Sequence, residues 1–193
     1  MRCAARGRAL LPVVFGLLAA PVVEAQAAGR LAPAQILSLA VAAPNVLGVT
    51  VTAGATQSIA SLTDNVVNYF PTPVVVRTNW NVSPGQTSTV DLVAYFSVPS
   101  QALSGGATQI PSSRVLGRVT TGLPTTYTAI NQGPVAGVGT AGGSLRLFTQ
   151  AISGGNKNSA RIDNLDLAVN LVGFPTLAPG SYSGTLTLVA VTQ

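Results

Sequence analysis

Asp163 and Asp166, in the segment RIDNLDL, are the most closely spaced carboxylates of the chain. Two carboxylates can cleave a glycosidic bond when they stand about 5 to 10 Å apart and one of them holds its proton near neutral pH. On a strand, however, a spacing of three sends the two side chains to opposite faces, about 10 Å apart along the chain. The pair reads instead as a solvated strand edge with a salt bridge to Arg161. The rest of the reactive inventory is thin: there is no histidine, Cys3 and Glu24 are the sole cysteine and glutamate, and Lys157 is the sole lysine. Histidine-dependent triads are excluded, and cysteine nucleophiles with them once Cys3 is removed. Zinc held by His or Cys is excluded on the same grounds. Asp163 and Asp166 with Asn164, or Asp64 with Asn65, offer oxygen ligands to calcium, but neither stretch has the dense Asp-x-Asp-x-Gly spacing of a dedicated loop. The expectation is a protein that is not an enzyme and carries no cofactor or metal.

Aromatic side chains are the other groups that could recognise something, by stacking on the apolar face of a sugar ring. The candidates are Tyr69, Phe70, Trp80, Tyr95 and Tyr127. Trp80 shares its strand parity with Val74, Val76 and Val82 and belongs to the core. Tyr69 and Phe70, just before Pro71, are the pair expected to be exposed and to meet a ligand. Adjacent strand residues point to opposite faces, so these two do not make a platform by themselves.

The segment preceding all of these residues has the composition of an export signal. MRCAARGR carries three arginines and no acid, and ALLPVVFGLLAAPVV is an apolar run of about fifteen residues. It is shorter than the roughly 20 residues a membrane-spanning helix needs. Small residues at the cleavage spacing place the end of the signal at Ala27, with Ala25 as the alternative. Residues 1–27 are expected to leave as a signal peptide, taking Cys3 with them, and residues 28–34 form a lead-in. Residues 35–193 form one domain, long enough to bury its own core without disulfides. Seven scattered basic side chains against four aspartates remain after residue 27, which is not the clustered footprint of a nucleic-acid binder. The expected location is secreted, extracellular or periplasmic, and associated with the cell surface.

Period-2 patterning runs through this domain. Ile36–Val41 and Leu47–Val51 read as two strands joined through Pro44 and Asn45. Val74–Val82 and Thr89–Val98 read as a hairpin turning at Ser83-Pro84-Gly85. Shorter strands are expected at Val66–Phe70, Arg114–Thr120, Thr125–Ile130 and Leu145–Gln150, and a longer one at Ala160–Val172. NQGPVAGVGTAGGS reads as a mobile loop with nothing to pack. About eight to ten short strands with frequent turn signals predict an all-β antiparallel Greek-key sandwich of immunoglobulin-like type.

The chain closes on LAPGSYSGTLTLVAVTQ. Pro179, Gly180 and Tyr182 have the spacing of a corner in which a tyrosine hydroxyl returns to upstream backbone as the chain passes between sheets. In the strand that follows, Leu186, Leu188 and Ala190 are expected to face the core, and Thr187, Val189 and Val191 the outside. That outer row is apolar for a solvated face and is the candidate interface.

This terminal stretch resembles the C-terminal strand of spore coat U-type and chaperone-usher pilin subunits. The resemblance spans about 17 residues, with Gly180 fourteenth from the end. It departs from the family in having Thr192 where pilins often have a penultimate tyrosine, and no cysteine after Cys3. The chain as a whole is similar in texture to small secreted bacterial β-sandwich proteins of unknown function. The resemblance implies a secreted immunoglobulin-like subunit that assembles through β-strands. The function expected is a non-enzymatic structural or adhesive surface protein, fimbrial- or coat-like, with itself, other surface subunits or a glycan as partner. A carbohydrate-binding module is the alternative reading, and a small Asp-dependent hydrolase a distant one.

Overall fold

A computed structural model describes residues 34–38, 47–82, 88–105 and 108–193. The expected signal peptide, the Pro44-Asn45 connection and the Ser83-Pro84-Gly85 turn lie outside the described residues. Among those described there is no α-helix, only two short 3-10 turns at Pro99–Gln101 and Ser112–Arg114, and no helix long and apolar enough to cross a membrane. Everything else regular is β-structure.

The strands are β1 (Ala34–Ser38), β2 (Leu47–Ala53), β3 (Thr56–Ile59), β4 (Val67–Tyr69), β5 (Val74–Asn81), β6 (Thr89–Tyr95), β7 (Leu103–Gly105), β8 (Thr108–Ile110), β9 (Val115–Val119), β10 (Thr128–Ala129), β11 (Ser144–Ala151), β12 (Asn158–Asn170) and β13 (Ser183–Thr192). The first sheet runs β11-β6-β13-β1-β3, with β7 beside β13 and β8 beside β7. The second runs β10-β9-β12-β5-β2, with β4 beside β12. Pairing is antiparallel throughout, save that β1 runs parallel to β13.

One core takes side chains from both sheets: Leu92, Phe96, Leu145, Leu186 and Leu188 from or beside the first, and Val76, Trp80, Val119, Leu165 and Leu167 from the second. The arrangement is sandwich-like, each sheet presenting an apolar face to the other. The alternation that marks the strands also sets these faces. Val74, Val76, Thr78 and Trp80 are buried while Arg77, Asn79 and Asn81 are exposed, and the Trp80 indole N–H donates to the Asn156 carbonyl at 2.8 Å.

Strand partners differ from the sequence expectation. Val74–Val82 and Thr89–Val98 do not pair as a hairpin: β5 lies between β12 and β2 in the second sheet, while β6 lies between β11 and β13 in the first. Likewise β1 and β2 belong to different sheets. Period-2 patterning specifies which face of a strand is buried, and two strands facing each other across a core satisfy it as well as two strands side by side. The Thr125–Ile130 strand shrinks to the two residues of β10. The glycine-rich segment after it packs where nothing was expected to: Val135 is buried, its N–H and carbonyl exchange bonds with Val138, and the Ser144 hydroxyl clasps the Thr140 backbone at N and O.

Most connections cross from one sheet to the other, so the corners carry the topology. The β12 to β13 crossing holds Leu177, Pro179, Gly180 and Tyr182. Tyr182 is buried and its hydroxyl donates to the Ala178 carbonyl at 2.7 Å. Gly180 has φ 155°, a backbone conformation side chains rarely adopt. Gly105 of β7 lies against the Tyr182 ring so closely that a Cβ there would stand 2.7 Å from it.

Candidate functional site

The outer face of the first sheet contains the row picked out at the end of the chain. Leu186, Leu188 and Ala190 point into the core, while Thr187, Val189 and Val191 are half-buried on the other side. β13 is a central strand of its own sheet, with β6 on one side and β1 on the other. Antiparallel register sets Thr187 beside Tyr95, Val189 beside Val93, and Val191 beside Asp91. β11 extends the rows with Ser144, Arg146 and Thr149. Val93 and Asp91 are fully buried even though they lie on this outer side.

Burying Asp91 demands that its charge be answered. Gln193 Nε2 donates to it at 2.7 Å, the hydroxyls of Thr89 and Thr149 also donate, and Arg146 Nε lies 3.5 Å from Oδ1. The face is therefore apolar at its centre and balanced in charge. An acid in the middle of the apolar run TVDLVAY is the sequence signal for this group.

The other aspartates are each engaged separately. Asp163 is not a solvated edge residue: its parity with Leu165 and Leu167 turns it inward, and it is buried. Arg161 reaches it with Nε at 2.7 Å and Nη2 at 2.6 Å, as the sequence suggested, and the Thr121 hydroxyl donates at 2.8 Å. The guanidinium also stacks over the Phe148 ring at 4.4 Å. Asp166 points to the opposite face and pairs with Arg118. Asp64 and Asn65 accept from the backbone N–H groups of Leu177 and Gly173, tying that turn to the crossing before β13.

The two adjacent aromatics part company. Phe70 is buried in the core, which corrects the expectation of an exposed ligand contact. Its backbone N–H bonds Leu167 O, and continuing the β4 pairing by one residue turns the ring inward. Tyr69 is 56% exposed. Across the surface of the second sheet it meets Tyr127, ring centroids 5.2 Å apart and planes at 60°. The Arg118 guanidinium lies 4.5 Å over the Tyr127 ring and donates to Asp166 Oδ2 from Nε at 3.1 Å and from Nη2 at 2.8 Å. That hydrogen bond raises the Arg118 pKa, and partial burial pushes the Tyr127 hydroxyl up despite the nearby positive charge.

These four side chains come from β4, β9, β12 and the segment before β10. The pairings that gather them, Tyr69 beside Ala168, and Arg118 beside Asp166, are contacts between strands distant in the chain. Only the outward parity of Asp166, out of phase with Leu165 and Leu167, was visible locally. No protein-family model matches the chain, and no curated protein matches it either.

Proposed function

We propose that the chain is a secreted, non-enzymatic structural or adhesive surface protein, a fimbrial- or coat-like subunit with an immunoglobulin-like Greek-key sandwich, and that it works by contact between folded copies. The observation that carries this reading is the outer face of the first sheet: Val189 and Val191, half-buried on β13, flanked by the half-buried Thr187 and Tyr95, with the buried Asp91 answered by Arg146. A face that is apolar and balanced in charge does not repel its own copy, and a two-fold contact requires that self-complementarity. Because β13 fills the centre of its own sheet, the reading places the contact on the face of that sheet and keeps the strand in its own domain.

Sedimentation velocity over a wide concentration range tests it. The wild-type protein should associate, and Val189→Lys should weaken association by at least about tenfold, the equivalent of roughly 1.4 kcal/mol, while its urea unfolding midpoint stays close to wild type. A monomer at every concentration, or equal association in the variant, would contradict the reading.

A further inference from the structure

We propose that Tyr69, Tyr127, Arg118 and Asp166 form a binding site for a neutral hexose of a surface polysaccharide, on the sheet opposite the assembly face. Tyr69 is more than half exposed, and the Tyr127 ring stands against its ring with centroids 5.2 Å apart and planes at 60°. An exposed aromatic face attracts the weakly positive C–H groups of a pyranose, because the ring's quadrupole is negative on its faces.

The ion pair beside the rings supplies the polar half of the recognition. Both Arg118 hydrogen bonds converge on Asp166 Oδ2. Among the described residues, Asp166 Oδ1 and Arg118 Nη1 carry no hydrogen bond. One is an acceptor and the other a donor, so together they can take sugar hydroxyls in both senses. The Arg118 charge is already met by Asp166 at 2.8 Å, which favours a neutral sugar over an acidic one. Beside Tyr69 on the neighbouring strand lies Ala168, a small buried residue.

Native gel electrophoresis of the full chain through gels containing soluble β-glucan, β-mannan, β-galactan or, as an acidic counterpart, polygalacturonate tests the site. Wild type should be retarded by at least one neutral polymer. Tyr69→Ala and Asp166→Ala should each weaken that retardation about tenfold, and Tyr69→Phe, which keeps the ring, should preserve it. Thermal melts of the same samples establish that the variants are folded. Retardation by none of the neutral polymers, retardation by polygalacturonate alone, or retardation that survives both alanine substitutions would overturn the proposal. Self-association through the Val189 face is measured without polysaccharide, so either proposal can fail while the other stands.

Discussion

Tyr182→Ala should destabilise the domain by about 3 to 5 kcal/mol, the range for removing a large buried aromatic from a core. Tyr182 is among the largest fully buried side chains, and it sits where the chain passes from β12 in the second sheet to β13 in the first. Its removal opens a cavity against Gly105, whose backbone was able to approach the ring because it has no side chain. The collapse that usually relieves a cavity is hindered here, since β7 and the start of β13 are already paired through Ser104 and Ser183. Tyr182→Phe isolates the hydroxyl: it removes only the 2.7 Å bond to Ala178 O and should cost about 0.5 to 1.5 kcal/mol, the net worth of such a bond. Urea unfolding followed by circular dichroism separates the two. Near-equal losses would mean that the hydroxyl, and not the packing of the ring, holds the corner.

Asp163→Ala should cost about 3 kcal/mol, the lower end of what breaking a buried ion pair costs. The lower end applies because Arg161 keeps 22% of its side-chain surface in water while Asp163 keeps 1%. The Arg161 guanidinium spans Asp163, the Thr121 carbonyl and the Phe148 ring, so the substitution removes the ion partner of a cation that links β12 to the segment after β9. Asp163→Asn preserves the shape and one acceptor and should cost less than half as much by the same urea titration. A loss below about 1 kcal/mol for the alanine variant would place this pair with ordinary surface salt bridges. The comparison also bears on the hydrolase reading of RIDNLDL, because it assigns Asp163 a structural role that needs no substrate.

What the chain reveals before folding follows from these cases. Faces were legible: Leu186, Leu188 and Ala190 inward, and Trp80 with Val74 and Val76, because alternation on a strand is a local property. Corners were legible where chemistry is local, as in Pro179, Gly180 and Tyr182. Partners were not, because β5 and β6 carry patterns compatible with pairing to each other or with facing each other across a core. Phe70 was read as exposed because a short strand next to proline hides its parity. The inward turn of Asp163 is not legible locally, because an acid in phase with leucines can be buried only when a cation such as Arg161 meets it in the fold. Tyr69, Tyr127, Arg118 and Asp166 meet only through strand register, so no local signal gathers them.

The central claim is contact through the outer face of the first sheet, and disulfide trapping tests it most directly. Single cysteines at Thr187, Val189 and Val191, each in a Cys3→Ser background, sit on that face, while Thr50→Cys and Arg77→Cys sit on the outer face of the second sheet. A disulfide forms only when the two Cα atoms come within about 7 Å. Under mild oxidation, at least one of the first three variants should give a covalent dimer well ahead of both controls, and Val189→Cys, in the central row, is the one expected to lead. Dimers that form no faster than in the Thr50→Cys and Arg77→Cys proteins would contradict the account.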